Sequence, residues 1–294
     1  MYDYIFLVCA REKSIFFDRF LKSINNLKLN KKKIKLVIVE NSKKKTLYNK
    51  IRQKLKKDIS FIYEIEKKIG IPYARNKAIR ISKRFNTKYI CFFDDDCEIN
   101  KNWLIEIEKF KKKFKTDIIT GPQIPKVKNL FLLLLMRKAK DGEKLQWAAT
   151  NNVILKQEII KKEKIKFYEK LANLGGSDQL FFMILNERGY KIKWCKDAKV
   201  YENIILKKKK LVWFIKRNFR YGISSKIIYL CTYGYLKGFR KLFLKFFYEL
   251  FLSAIYFLSM PFKLKLYFLK FSMYISRSIG TFLGIFGFKT SKYI

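Results

Sequence analysis

A short apolar run, Tyr89 to Phe93, ends abruptly in three consecutive carboxylates, Asp94, Asp95 and Asp96. Apolar, β-prone residues closed by a polar cluster read as a buried strand emerging at its C-terminal end. In open α/β sheets that end is where ligands bind. Side chains alternate along an extended segment, so Asp94 and Asp96 point one way and Asp95 the other. Adjacent carboxylates repel one another unless a positive charge lies between them. A hard divalent cation, Mn²⁺ or Mg²⁺, meets that need and commonly shares its shell with substrate phosphates. Asp94 and Asp96 are therefore the candidate pair; the plainer alternative is a solvated acidic loop.

The segments around this run alternate in period. Tyr4–Val8, Ile34–Val39 and Phe61–Ile65 are short apolar runs that predict strands. Between them, Phe17, Phe20, Leu21, Ile24 and Leu27 fall at helical spacing after Ser14, a candidate N-cap. Leu47, Ile51 and Leu55 mark a second helix, and Pro72 opens a third that carries Arg75 and Asn76. Strands alternating with helices imply βαβ units and a parallel sheet. Further strands are expected at Asp117–Thr120, at Trp147–Leu155 (which includes Thr150 and Asn152), at Lys191–Trp194 and at Ala198–Glu202. The turn Gly175-Gly176-Ser177-Asp178 leads into another helix. Leu130–Met136 is too short to span a bilayer and reads as a buried helix or part of a lid.

After Glu202 the chain becomes helical, aromatic and cationic, which predicts two regions, 1–210 and 211–294. The most apolar window, Phe243–Phe262, is interrupted by Lys245, Glu249 and Pro261, and the next, Tyr267–Phe286, contains Lys270 and Arg277. Each such charge costs roughly 2.5–3.5 kcal/mol on insertion scales. Aromatic faces flanked by Lys and Arg suit helices lying in a membrane interface better than helices crossing it. A re-entrant hairpin, or a helical subdomain packed on the rest, are the alternatives.

The net charge of +42 fits an anionic membrane surface better than nucleic acid. The excess is mostly Lys, spread along the whole chain, whereas bidentate readers of bases and phosphates are usually Arg. The five cysteines lack CxxC spacing and read as reduced thiols of a cytosolic protein. No signal peptide is expected at this N-terminus. The chain has no His, so acid–base work falls to Asp, Glu, Lys, Tyr or Cys.

Three elements converge on one edge of the expected sheet: Asp94–Asp96, Glu40-Asn41 at the end of an earlier strand, and Arg75-Asn76 at a helix start. A carboxylate, an Arg and a metal cluster suit a nucleotide diphosphate. At this point the chain resembles the family 2 glycosyltransferases of GT-A fold. The matching stretches, in order, include Val37–Ser42, Gly70–Ala78, Phe92–Asp96, Thr120-Gly121-Pro122, Thr150-Asn151-Asn152, Phe167-Tyr168-Glu169, Gly175–Asp178, Val200-Tyr201-Glu202 and Arg217–Gly222. The resemblance extends over about residues 3–225. It departs from the family in Cys9-Ala10-Arg11 after the first strand, in Glu40 where an Asp is usual, and in Ser177 before Asp178.

The resemblance implies roles for these residues. Glu40 would recognise the base, and Arg75, Asp94 and Asp95 would line the donor site. Asp96, with Asp94, would hold Mn²⁺ or Mg²⁺. Thr150 and Asn152 would contact the acceptor, and Asp178 would be the catalytic base of an inverting enzyme, although Asp178 also suits a helix N-terminus. The implied donor is a nucleotide-diphosphate sugar, with UDP-sugars favoured. The implied acceptor is a cell-envelope glycan or a lipid-linked sugar, reached from the cytoplasmic face of the inner membrane. Two other classes share some of these features. A Mg²⁺-dependent nucleotidyltransferase would need carboxylates too, but it usually brings a Gly-rich phosphate loop, and Val8–Ser14 has no Gly. A non-catalytic cationic membrane-binding protein would assign no role to Asp94, Asp96 or Asp178.

Overall fold

The computed structural model describes residues 1–12 and 14–288, so the end of the expected second region, 289–294, lies outside the described residues. The strands are β1 (Tyr2–Arg11), β2 (Ile34–Asn41), β3 (Ser60–Ile65), β4 (Thr87–Asp94), β5 (Cys97–Ile99), β6 (Ile118–Thr120), β7 (Gln123–Pro125), β8 (Lys144–Leu145), β9 (Asn152–Lys156), β10 (Ile192–Trp194) and β11 (Val200–Glu202). The helices are α1 (Phe17–Asn25), α2 (Tyr48–Lys54), α3 (Ile71–Ser82), α4 (Trp103–Lys113), α5 (Leu130–Leu135), α6 (Gln157–Glu163), α7 (Ser177–Glu187), α8 (Leu211–Tyr233), α9 (Tyr235–Leu258) and α10 (Leu264–Ile285).

Eight strands form one mixed sheet in the order β3-β2-β1-β4-β9-β6-β10-β8. The first four are parallel, as the alternation of periods requires. Their register sets Cys9 beside Asp94 and Ala10 beside Glu40, so both acidic strand ends reach the same sheet edge. Strand β9 runs antiparallel between β4 and β6. A small second sheet has the order β5-β11-β7.

Strand β1 shows why the run is apolar throughout. Tyr4, Phe6 and Val8 pack on one face with α1, α2 and α4. Ile5 and Leu7 pack on the other with α3, α6 and α7. A strand covered on both faces has no solvent side to keep polar.

Three local expectations change. The strand expected from Trp147 starts only at Asn152, because residues 147–151 form a loop and turn. Helix α1 begins at Phe17 with Phe16 at its N-cap and no side-chain cap, so Ser14 does not cap it. Leu130–Leu135 is a short helix capped by Asn129, with Leu132 as its buried residue. No helix among the described residues is long and apolar enough to cross a membrane. Helices α8, α9 and α10 pack on one another, and α8 joins them to α7.

Candidate active site

The site is built at the C-terminal ends of β2 and β4. Asn41, the last residue of β2, pins the loop before α3: its Nδ2 donates to the carbonyls of Glu66 (3.0 Å) and Lys68 (2.8 Å), and its Oδ1 accepts from Gly70 N (2.7 Å). That fixes the start of α3, whose Pro72 lies in the first turn. One turn on, Asn76 holds the Phe167 backbone in both directions, at 2.9 and 2.7 Å. The Phe167 ring then lies 5.4 Å from the Arg75 guanidinium carbon.

So held, Arg75 places Nη2 3.5 Å from Asp94 Oδ1 and Nη1 3.5 Å from Ser177 Oγ. Burial pushes the Asp94 carboxyl above the usual carboxylate range, Arg75 opposes the rise, and Asp96 and Asp178 add to it. Asp94, Asp96 and Asp178 therefore share one electrostatic environment, as their placement on the same edge requires.

Asp96 lies across the turn into β5. Its Oδ2 is 3.2 Å from Lys208 Nζ, which also reaches Glu202 Oε1 at 2.6 Å. Burial raises the Asp96 carboxyl, and Lys208 opposes it. Between the two carboxylates the Lys208 ammonium is held above its ordinary range, despite burial. Residues 95 and 96 form a turn and do not continue β4, so the alternation expected across Asp94–Asp96 does not extend to Asp95. Asp95 Oδ2 accepts from the Arg11 backbone N–H at 3.0 Å, tying the end of β1 to this turn, and burial pushes its pKa up to about 6.

Asp178 is the second residue of α7, and its Oδ1 accepts from Gln179 N at 2.9 Å. The preceding Gly176 has φ 84°, and a Cβ there would lie 2.8 Å from Ile228 Cδ1 of α8. The turn that carries Asp178 is thus set against α8. Arg137 faces the same place: its Nη1 donates to Trp147 O at 2.6 Å, its guanidinium lies 4.0 Å over the Trp147 ring, and Asp178 offsets the burial that pulls its pKa down.

Three expected site residues are not brought to this cluster. Glu40 is fully buried. Its Oε2 accepts from Thr46 N (3.0 Å), Leu47 N (3.2 Å) and the Tyr63 hydroxyl, and its Oε1 from the Thr46 hydroxyl. With four donors already on this buried carboxylate, it organises the loop from β2 to α2. Asn152 is likewise used up, accepting from Trp103 Nε1 (2.9 Å) and donating to Pro122 O (3.0 Å) and Ala198 O (2.7 Å). Thr150 is buried, with no hydrogen-bond partner for its Oγ1 among the described residues. Lys208 and Arg137 are brought in instead. Lys208 lies in the run Lys207–Lys210, and nothing in that run distinguishes it from its neighbours.

The family profile described as "Glycosyl transferase family 2" matches residues 5–187, more than half of the chain. The chain belongs to glycosyl transferase family 2. As a family 2 glycosyltransferase it has the GT-A architecture of its structural neighbours. Residues 1–349 of S. aureus TarS, solved in complex with UDP-GlcNAc, superpose with a TM-score of 0.56 at 14% identity, over 97% of this chain and 92% of that one. A longer S. aureus TarS chain gives a TM-score of 0.56 at 16% identity over 76% of this chain, which spans 39% of that TarS chain. GalNAc-T7, solved with UDP, GalNAc and Mn²⁺, gives a TM-score of 0.54 at 13% identity, over 77% of this chain and 51% of that one. A sequence comparison with curated proteins finds no significant match.

The donor set bears on the metal that such a fold implies. Among the described residues no group of three or more His, Cys, Asp or Glu is placed to enclose a metal ion. Mg²⁺ and Mn²⁺ do not need such a cage: one or two carboxylates plus substrate phosphates suffice. Asp94 and Asp96 fit that kind of site, in which the donor completes the shell.

Proposed function

We propose that this family 2 glycosyltransferase moves a sugar from a nucleotide-diphosphate donor, a UDP-sugar by preference, to a hydroxyl of a cell-envelope glycan or lipid-linked acceptor, with inversion. The observation that carries the reading is the Arg75–Asp94 pair, at 3.5 Å, with Asp178 close enough to perturb Asp94. A preference for UDP rests on two structural neighbours, TarS with UDP-GlcNAc and GalNAc-T7 with UDP and Mn²⁺.

Each side chain then has a task. The Arg75 guanidinium, braced by Ser177 and Phe167, gives the donor diphosphate a fixed cation. Asp96 and Asp94 would hold the divalent ion, which would neutralise charge on the departing diphosphate. Asp178 accepts the proton of the acceptor hydroxyl as that oxygen attacks the anomeric carbon, while the bond from that carbon to the diphosphate breaks. One displacement of this kind inverts the centre. Arg137 stands beside Asp178 and is anchored there by Trp147.

Asp178→Asn tests the assignment. Donor binding should stay within about twofold while transfer falls by about 10²–10⁴, the usual worth of a positioned base. Transfer at wild-type rate in Asp178→Asn would remove Asp178 from the chemistry.

A further inference from the structure

Helices α9 and α10 bury mostly small and polar residues and expose large apolar ones. In α9 the buried residues are Gly238, Leu242, Glu249 and Ser253. Its aromatic and branched residues face outward: Leu236 is 83% exposed, Phe251 63% and Leu258 74%, with Phe243 and Phe247 about half exposed beside them. The link to α10 continues the face with Phe262, 82% exposed. Helix α10 follows the pattern in large part, burying Ser272, Ser276, Ser278, Gly280, Thr281 and Gly284 along with Leu269 and Met273, while Phe268, Phe282 and the C-cap Phe286 stand outside. A helix against water does the opposite.

The interior of the bundle holds paired polar groups beside its buried apolar residues. Lys245 Nζ lies 2.8 Å from Glu249 Oε2 and 3.0 Å from Thr281 Oγ1, and Arg277 Nε donates to Asn218 Oδ1 at 2.8 Å. Backbones approach closely through glycines: a Cβ on Gly222 would lie 2.6 Å from Thr281 N, and one on Gly284 would lie 2.8 Å from Ile223 O. Small residues and paired polar groups inside, with Phe and Leu outside, are how helices pack where the surroundings are already apolar. No described helix is long and apolar enough to cross a membrane, so a bilayer meeting this face would meet it in the interfacial plane.

Charge selects the lipid. Helix α10 has no acidic residue, and the single one in α9, Glu249, is buried against Lys245. The rim of the apolar face carries Arg240 and Lys241 at one end and Lys263 and Lys265 at the other, while Lys237 lies 3.6 Å from Glu187 of α7. Two copies meeting through this face would bring like charges together, whereas an anionic lipid surface neutralises them.

We propose that the outer face of α9, with the link to α10, is a docking surface for an anionic lipid bilayer, on which α9 lies in the interfacial plane over about 36 Å. Because α8 packs on this pair and also meets the Gly176 turn through Ile228, the docked bundle directly supports the element that carries Asp178. The inference concerns binding alone and stands apart from the glycosyl-transfer reading.

Vesicle flotation tests it. The full chain, purified in detergent, is dialysed into vesicles of phosphatidylcholine alone or with phosphatidylglycerol, then floated on a density gradient. It should float with the anionic vesicles, and each charge reversal in Arg240→Glu and Lys241→Glu should reduce partitioning by about fivefold or more. Phe247→Ser with Phe251→Ser should reduce it at low salt as well. Hydrogen exchange of the unaltered chain gives the same answer without a substitution: anionic vesicles should protect residues 235–264 selectively. The proposal is overturned if the chain stays at the bottom of both gradients, or if vesicles leave exchange in 235–264 unchanged. It is also overturned if detergent-free protein forms discrete dimers that the serine substitutions dissociate.

Discussion

Lys208 Nζ bridges Asp96 Oδ2 at 3.2 Å and Glu202 Oε1 at 2.6 Å, so one resident cation already neutralises the carboxylate assigned to the metal. A divalent ion at Asp96 must compete with that ammonium. Lys208→Ala is therefore expected to lower Tm in metal-free buffer by about 2–5 °C, since the pair is mostly buried but not fully. Mn²⁺ should then raise Tm by more in the variant than in the wild type. Equal Mn²⁺ shifts in both proteins would show that Lys208 and the ion do not share Asp96.

Glu40 makes the opposite case, a buried carboxylate whose effect should be confined to stability. Removing it in Glu40→Ala leaves the amides of Thr46 and Leu47 and the Tyr63 hydroxyl without their acceptor. Urea unfolding should show a loss of about 2–4 kcal/mol. The preference among nucleotides should not change. A variant that kept its stability but exchanged one base for another would return Glu40 to base recognition.

Gly176 separates positioning from binding. With φ at 84° and Ile228 Cδ1 2.8 Å from any added Cβ, Gly176→Ala strains the turn and pushes it from α8. It should cost about 1–2 kcal/mol of stability. Asp178 lies two residues on, so kcat should fall while donor KM moves little. Loss of donor affinity with unchanged kcat would contradict this placement.

A pH effect follows from Glu108. Its Oε1 accepts from the Tyr4 hydroxyl and lies 2.8 Å from Lys111 Nζ. Burial alone would raise its pKa, but the Lys111 and Tyr4 hydrogen bonds outweigh burial and hold it below the ordinary 4.5. The unfolded chain then takes up this proton first as pH falls. The stabilisation is complete above the unfolded pKa and is lost as pH drops through the lowered folded one. Glu108→Gln should be less stable near pH 7 and should lose less stability than the wild type on acidification below 4.5. Parallel acid-unfolding curves would contradict the assignment.

Strands β1 to β4 and helix α3 were legible in the sequence because both faces of the sheet are covered, which makes each strand a continuous apolar run between helical periods. The positions of Asp94 and Asp178 at element ends were legible, because each follows a change of period in the sequence. Asn152 was misleading: its three hydrogen bonds go to Trp103, Pro122 and Ala198, none of them near it in sequence. Lys208 was hidden among Lys207, Lys209 and Lys210, since only the folded chain places one of them between Asp96 and Glu202. The reversed polarity of α9 was hidden for a related reason. Periodicity reveals that a helix has two faces, and only packing shows which one is inside.

The most direct test is calorimetric titration of the full chain, in detergent with Mn²⁺, by UDP, GDP and CMP, repeated on Asp96→Asn. One diphosphate, UDP by expectation, should bind in a Mn²⁺-dependent manner to the wild type and lose that dependence in Asp96→Asn, with the melting transition preserved. Failure of every nucleotide to bind the folded, Mn²⁺-supplied protein, or binding unchanged in Asp96→Asn, would contradict a donor site built on Arg75, Asp94 and Asp96.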